Sequence, residues 1–204
     1  RWRSSRPALR ESLGLPADVP VLLYAGKLIE RKRPLDLLDA YARVAADHPA
    51  AIVFLGEGAE RGRLAAAAER HGLSRVVITG FVNQQDISRY YAAADLLVLP
   101  SRHEPWGLVL NEGMCFGLPL VASDAVGAVP DLVRAGDNGF IYPVGDVPAL
   151  ADALRRLLAD PALRTRMGAR SREIVAGFSY DADVEGIVAA LNHVVRRPRT
   201  GVAS

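Results

Sequence analysis

The sequence has little lysine, almost no cysteine and no long hydrophobic run, and each scarcity excludes a class of protein. Cys115 is the single cysteine among 204 residues, so an internal disulfide and a cysteine-based metal site are both excluded. This favours a reducing compartment, and we expect the protein to be cytoplasmic. No apolar run approaches the roughly 18 residues that a transmembrane helix needs. The net charge of +2 gives no electrostatic sign of nucleic-acid binding.

Lysine is scarce and clustered. Only two of the 25 basic residues are lysine, Lys27 and Lys32, and they lie in one short segment.

The start of the sequence lacks two features. The sequence begins at Arg1 rather than Met, which suggests a fragment of a longer chain. No basic segment followed by an apolar one stands at the beginning, so no secretory signal is visible.

Short β-branched apolar segments alternate with longer amphipathic ones, which predicts alternating strands and helices. The predicted strands are Val21–Ala25, Ala51–Leu55, Val76–Thr79, Leu96–Leu99, Leu118–Ala122 and Gly139–Tyr142. The predicted helices are Pro34–Asp47, Gly58–His71, Asp86–Ala94, Gly107–Phe116, Val129–Ala135, Pro148–Ala159, Pro161–Ala176 and Asp181–Val195. Nearly continuous apolar strands indicate burial on both faces, which is typical of a parallel sheet covered by helices.

The fold class predicted is therefore α/β: one Rossmann-like, doubly wound domain with about six parallel strands and extra helices at the C-terminal end. The domain occupies residues 1–204, with its core at about 9–195, and we expect the tail 196–204 to be frayed. Ligands of such sheets bind beyond the carboxyl ends of the strands. The segments that follow the strands are therefore the candidate sites.

The segment Tyr24–Pro34, after the first strand, is rich in positive charge. Gly26 permits a sharp turn, and Lys27 and Lys32 can reach the mouth of a cleft, where cations near a helix start suit a phosphate or diphosphate. A solvated basic loop is the alternative interpretation. The segment has neither the dinucleotide-binding glycine pattern nor the P-loop pattern, so both of those sites are disfavoured.

Glycines also follow the second and third strands. Gly56 and Gly58 would let a backbone approach a ligand closely, although a tight strand-to-helix turn explains them equally well. Phe81 follows Gly80 and could pack against a base ring. From the residues alone, Phe81 is better interpreted as an ordinary core side chain.

The segment Pro100–Pro119 places two acids in an apolar context. Glu104 precedes a predicted helix that carries Glu112, and the two converge only if Glu104 hangs off the helix end. The free N–H groups of residues 106–109 would then form an anion site opposite the basic loop. The alternatives are a first-turn capping acid for Glu104 and an exposed helix acid for Glu112. Cys115 is interpreted as a core residue of this helix.

The two glutamates form E-x7-E within EPWGLVLNEGMCFGLP, and GKLIERK stands upstream. Together with GEG at 56–58, GF at 80–81 and PS at 100–101, they resemble the C-terminal, donor-binding domain of GT-B fold retaining glycosyltransferases of family four. The resemblance extends from about Leu9 to Val195. Lys27 stands where this family more often has arginine, and EPWG replaces a frequent E-[GS]-F-G, which leaves the donor sugar open.

The resemblance implies roles for particular residues. Lys27 and Lys32 would hold the diphosphate of a nucleotide-sugar and stabilise the departing nucleotide, Glu104 would face the donor sugar as a catalytic-site residue, and Glu112 would accept hydrogen bonds from the ribose. The donor-binding residues implied in this way are Gly26, Lys27, Lys32, Gly56, Phe81, Val82, Glu104, Gly107, Leu108, Val109 and Glu112.

The resemblance also sets expectations for partners. Transfer would retain the anomeric configuration without a metal or other cofactor, and no cluster with metal-ligand spacing occurs in the sequence. A UDP-sugar is the expected donor, with GDP-mannose close behind. The acceptor, a glycan, lipid or small molecule, would bind an N-terminal domain absent from this chain, through which the enzyme could touch the inner membrane face. A non-catalytic nucleotide-sugar-binding module and a GT-B-like sugar epimerase or hydrolase are the alternative functions.

Overall fold

Six apolar strands pair in parallel to form one sheet in the computed structural model, which describes residues 6–196. The order across the sheet is β3-β2-β1-β4-β5-β6. The strands are β1 (Val21–Ala25), β2 (Ala51–Leu55), β3 (Val76–Gly80), β4 (Leu96–Leu99), β5 (Leu120–Ser123) and β6 (Gly139–Tyr142). The predicted parallel, doubly wound α/β fold is therefore confirmed.

Helices connect the strands and cover both faces of the sheet. They are α1 (Arg6–Ser12), α2 (Pro34–Ala42), α3 (Arg61–Arg70), α4 (Gln84–Ala93), α5 (Leu108–Cys115), α6 (Val129–Leu132), α7 (Val147–Ala159), α8 (Pro161–Val175) and α9 (Tyr180–Arg196). A short 3₁₀ helix at Glu30–Lys32 precedes α2. Within residues 6–196, none of the helices combines the length and the apolar character that a membrane span requires.

Alternate residues of each central strand contribute to different cores. Leu22 and Tyr24 of β1 pack in a cluster with side chains of α2, α3 and α7, whereas Leu23 packs in a second cluster with side chains of α4 and α5. All five residues of β1 and of β2 are buried, as the apolar sequence predicts for strands covered on both sides.

The strand order reverses direction between β1 and β4. The chain moves outward from β1 through β2 to β3, then crosses back to place β4 on the other side of β1. The helix α2, which follows β1, packs in one core cluster, and α5, which follows β4, packs in the other, on the opposite face of the sheet. Open α/β sheets bind their ligands at such a switch point, and we call the carboxyl edge of the strands around this point the crevice. The segments with the two lysines and with Glu104 follow these two strands.

The helix α2 ends five residues earlier than predicted, at Ala42 rather than Asp47. The chain turns here so that it can enter β2, and the hydroxyl of Tyr41 fixes the turn. That hydroxyl donates to the Ala50 carbonyl at 2.9 Å and accepts from the Ala50 N–H at 2.7 Å. These contacts join residues nine positions apart, beyond the spacing of three or four that a helix repeats, so the helical periodicity does not reveal them.

The helix α1 was not predicted, because it is short and carries charged residues. It is attached to the sheet by Arg10, which is 6% exposed and pairs with Asp95 at 2.5 Å. The same carboxylate accepts the Val21 N–H at 2.7 Å. Cys115 is exposed, so its interpretation as a core residue was wrong: Met114, the neighbouring residue on α5, faces the core instead.

Other boundaries differ from the sequence prediction by a few residues. The strand β5 begins at Leu120 rather than Leu118, and α6 ends at Leu132 rather than Ala135. The expected fraying of the tail concerns residues 196–204, nearly all of which lie outside the described residues.

Candidate functional site

The floor of the crevice is made of backbone from three neighbouring strand ends. Gly26, Gly56 and Gly80 directly follow or close β1, β2 and β3, and Gly56 forms a bridge with Gly80. The Gly26 N–H donates to the Leu55 carbonyl at 3.0 Å, and the Leu28 N–H donates to the Glu57 carbonyl at 2.7 Å. The segments after β1 and β2 are thus joined along their length.

Two glycines are required for this close packing. A Cβ added at Gly56 would overlap the carbonyl oxygen of Gly26, and one added at Gly58 would overlap the carbonyl oxygen of Leu28. Both would lie well inside van der Waals contact with backbone that cannot rotate away. The structure thus accounts for both glycines by the packing of one backbone segment against another, and their approach to a ligand stays a prediction.

The two lysines occupy different environments. Lys32 is partly buried and forms an ion pair with Glu104, and their side chains are 14% and 13% exposed. Burial lowers the pKa of Lys32, and the positive charges of Arg31 and Lys27 lower it further. Lys27 is exposed. The ammonium group of Lys32 is thus held by Glu104, while Lys27 is open to solvent.

The loop that carries Glu104 is held between its neighbours. The Arg102 N–H donates to the Arg31 carbonyl at 2.7 Å, which joins it to the segment after β1. On the other side, the Gly127 N–H donates to the Glu104 carbonyl at 2.9 Å. Glu104 is therefore fixed at the switch point through its backbone and through its ion pair with Lys32.

Glu104 lies outside the helix that carries Glu112, as the predicted convergence required. The helix α5 begins at Leu108, and its N-cap is Gly107, which has φ 105°. No side chain caps this helix, so the interpretation of Glu104 as a capping acid was wrong. The first N–H groups of a helix have no partner within it, so the first turn of α5 can donate to an anion.

Glu112 is an exposed residue of α5, but it has a buried partner. The hydroxyl of Tyr91, on α4, donates to Glu112 Oε2 at 2.5 Å. Burial raises the pKa of Tyr91, and its hydrogen bond to Glu112 and the charge of that carboxylate raise it further. Tyr91 could not be identified from the sequence, because a tyrosine on the apolar face of a helix is ordinarily a core residue and nothing local shows which group its hydroxyl meets.

Phe81 marks the end of the crevice beside β3. It is 81% exposed, so its interpretation as a core residue was wrong. Val82 is half-buried and packs against the second core cluster. An exposed phenylalanine next to the glycine-rich floor offers a flat apolar face to a ligand.

The crevice therefore presents its groups in a defined order along the carboxyl edge. Phe81 and the glycine floor lie by β3 and β2, Lys27 and Lys32 follow β1, and Glu104 follows β4. Within residues 6–196, no group of three or more His, Cys, Asp and Glu side chains is arranged to hold a metal ion. The fold and this edge define an open, Rossmann-like α/β domain in which two lysines, Glu104 and a glycine-rich backbone follow neighbouring strand ends.

Comparisons with known proteins identify the family. Residues 5–174 match the family described as Glycosyl transferases group 1. The lipopolysaccharide core biosynthesis glycosyltransferase LpsE of Rhizobium meliloti is 37% identical over 176 residues, which are 85% of this chain and 50% of LpsE. The chain belongs to the group 1 glycosyl transferases, and the resemblance to the C-terminal domain of GT-B enzymes of family four is confirmed.

Solved structures agree with this assignment. Sucrose-phosphate synthase from Thermosynechococcus elongatus superposes with a TM-score of 0.78 at 33% identity, covering 94% of this chain and 49% of the synthase. Anabaena HepE in complex with UDP gives a TM-score of 0.80 at 29% identity, over 94% of this chain and 53% of HepE. The chain spans about half the length of these relatives.

Proposed function

We propose that this chain supplies the donor site of a retaining glycosyltransferase that takes a sugar from a nucleoside-diphosphate sugar. The observation that carries the proposal is the Lys32–Glu104 pair at the switch point between β1 and β4. A cation and a carboxylate side by side suit the junction of a diphosphate and a sugar, since the first needs a positive charge and the second a hydrogen-bond acceptor.

The order of groups along the crevice gives the donor its direction. The base lies at the β3 end, against Gly56, Phe81 and Val82, and the ribose hydroxyls reach Glu112. The diphosphate lies between Lys27 and Lys32. The backbone of Gly107, Leu108 and Val109, at the start of α5, supplies further donors to the phosphates or the sugar.

Glu104 binds hydroxyls of the donor sugar, and Lys32 stands next to the bond that breaks. Electron density moves onto the departing phosphate as the bond between the anomeric carbon and the phosphate oxygen lengthens, and the two lysines stabilise that charge. The acceptor oxygen attacks from the same face and forms the new glycosidic bond. Its proton passes to the departing phosphate, so the products are the glycoside and a nucleoside diphosphate.

We propose a UDP-sugar as donor, on the support of the HepE complex with UDP. The lysines do the electrostatic work that a divalent cation does in other transferases, so we propose that no metal is needed. The acceptor, a glycan, a lipid or a small molecule, binds to a part of the enzyme outside residues 6–196, and the chain alone binds donor without transferring sugar efficiently. The lone cysteine supports a cytoplasmic site of action.

Titration calorimetry with UDP, GDP and ADP tests the proposal. The unmodified protein should bind one of these nucleotides, and Lys32→Ala should weaken that binding by about tenfold or more, since a charged hydrogen bond contributes about 1.5–3 kcal/mol. Glu112→Ala should weaken it as well. Arg155→Ala removes an exposed charge from α7 and is the control.

Two results would contradict the proposal. If none of the three nucleotides binds, the crevice is not a nucleoside-diphosphate site. If binding is retained in full by both Lys32→Ala and Glu112→Ala, the nucleotide lies elsewhere on the molecule.

A further inference from the structure

We propose that Tyr91 is a positioning residue for the nucleotide's ribose, because its buried hydroxyl fixes the Glu112 carboxylate in the orientation that accepts the ribose hydroxyls. This inference rests on the proposed function, in which Glu112 binds the ribose. Tyr91 itself lies under the crevice and touches no donor atom. Its effect passes through Glu112.

Packing alone fixes the ring of Tyr91, independently of the hydrogen bond that its hydroxyl makes. The residue is 1% exposed, and its ring stacks on Phe116 with centroids 5.5 Å apart and an angle of 18° between the planes. Phe116 directly follows α5, the helix that carries Glu112. The stacked rings therefore tie α4 to α5, and the direction of the Tyr91 hydroxyl is set by packing.

The hydrogen bond has one direction only. Burial and the neighbouring carboxylate raise the pKa of Tyr91, so the phenol keeps its proton and donates it to Glu112 Oε2 at 2.5 Å. Among the described residues, Glu112 is the hydrogen-bond partner of this hydroxyl. A buried hydroxyl without a partner is costly, so the bond holds the carboxylate firmly.

Glu112 keeps acceptor capacity for a ligand. Oε2 accepts one hydrogen bond from Tyr91, and the residue is exposed at the surface of α5, so its carboxylate can still accept from hydroxyl groups. A glutamate on a helix surface ordinarily samples several rotamers, and ordering them opposes binding. The bond to Tyr91 does this ordering before the nucleotide arrives, so the carboxylate is preorganised.

A purely structural tyrosine in this fold looks different. The hydroxyl of Tyr41 is satisfied by backbone alone, through the N–H and the carbonyl of Ala50. The hydroxyl of Tyr91 is directed instead to the one acidic side chain of α5. The hydrogen bond to Glu112 therefore connects a buried residue of the core to an exposed acid on α5.

The test compares UDP with 2′,3′-dideoxy-UDP, which lacks the two hydroxyls that Glu112 would accept. If GDP or ADP binds more tightly than UDP, that nucleotide and its 2′,3′-dideoxy analogue are compared instead. Calorimetry on Tyr91→Phe, which keeps the ring and its stacking, should show UDP binding weakened about five- to twentyfold. Binding of the dideoxy nucleotide should change by less than twofold. Tyr41→Phe is the matched control and should leave both affinities unchanged.

A second comparison isolates the route through Glu112. The double variant Tyr91→Phe/Glu112→Ala should bind UDP no more weakly than Glu112→Ala, because the hydroxyl then has no carboxylate to orient. Equal weakening of UDP and dideoxy-UDP by Tyr91→Phe would overturn the inference, since it would show a general loss of the pocket. Unchanged UDP binding by Tyr91→Phe would overturn it as well.

Failure of the proposed function gives a different pattern. If the unmodified protein binds no nucleoside diphosphate, or if Lys32→Ala and Glu112→Ala both bind UDP normally, the assignment of the crevice is wrong and the role of Tyr91 is wrong with it. If Glu112→Ala alone binds normally, the ribose contact of Glu112 is refuted, and the role of Tyr91 with it, while the diphosphate site at Lys32 stands. If Glu112→Ala binds weakly and Tyr91→Phe binds normally, the proposed function stands and only the positioning role is refuted.

Discussion

Replacing Lys32 by methionine should destabilise the fold by about 2–3 kcal/mol, because Glu104 would lose the partner of a largely buried carboxylate. The two side chains are 14% and 13% exposed. Exposed ion pairs contribute about 0.2–1 kcal/mol, and removing one partner of a fully buried pair costs about 3–5 kcal/mol. The Lys32–Glu104 pair lies nearer the buried limit. Methionine keeps much of the apolar stem, so the effect reports the charge.

Urea and thermal unfolding measure this effect. For a domain of this size the midpoint of thermal unfolding should fall by about 5–10 °C. Lys27→Met is the matched control, because Lys27 is exposed, and it should change stability by less than about 0.5 kcal/mol. Adding Glu104→Gln to Lys32→Met removes the unpaired charge and should restore at least half of the loss.

Two outcomes would refute this reasoning. The first is equal stability of Lys32→Met and Lys27→Met, which would show that burial of the pair has no energetic consequence. The second is a double variant Lys32→Met/Glu104→Gln that is no more stable than Lys32→Met. In that case the loss would come from packing of the lysine stem rather than from the stranded carboxylate.

Three further predictions concern the floor, the buried tyrosine and the exposed ring. Gly58→Ala should cost about 2–4 kcal/mol in urea unfolding, because its Cβ would overlap the Leu28 carbonyl, whereas Gly62→Ala, with open space around its Cβ in α3, should not destabilise. Between pH 10 and 11 the free energy of unfolding should fall, because unfolded tyrosines ionise near pH 10 while burial and Glu112 raise the pKa of Tyr91 and keep it protonated. Tyr91→Phe should reduce that slope by about 1 kcal/mol per pH unit, because an unfolded tyrosine is on average about three-quarters ionised between pH 10 and 11, and an unchanged slope would contradict the assignment. Phe81→Ala should weaken nucleotide binding about fivefold or more with little loss of stability, and unaltered affinity would exclude Phe81 from the base pocket.

The parts of the fold that follow from local pattern could be predicted from the sequence. β1 and β2 agree with the predicted bounds to the residue, because an apolar segment of five residues between polar turns leaves few alternatives. The end of α2 could not be predicted. It depends on a hydrogen bond between Tyr41 and Ala50, and a contact of this kind leaves no periodic trace.

In the candidate site, too, the positions of residues could be predicted from the sequence, whereas the contacts between their side chains could not. Lys32 and Glu104 could be placed at one crevice, because parallel strands bring their carboxyl ends to one edge and both residues follow such ends. That the two form an ion pair could not be predicted, since it depends on how two loops fold over each other. The hydrogen bond of Tyr91 could not be predicted for a similar reason, because its partner Glu112 is 21 residues away, on another helix.

The backbone floor formed by Gly26, Gly56 and Gly80 determines which positions could be changed to alter the ligand that the crevice binds. Its shape is held by main-chain bonds such as those from Gly26 to Leu55 and from Leu28 to Glu57, which depend on no side-chain identity. Phe81 follows β3 beside this floor and is 81% exposed, so its ring does not hold the floor in shape. In the proposed donor site Phe81 lies against the base, so substitutions there should alter the preference for the base while the position proposed for the phosphates stays fixed. Libraries that aim to change the donor should vary Phe81 and leave the glycines untouched.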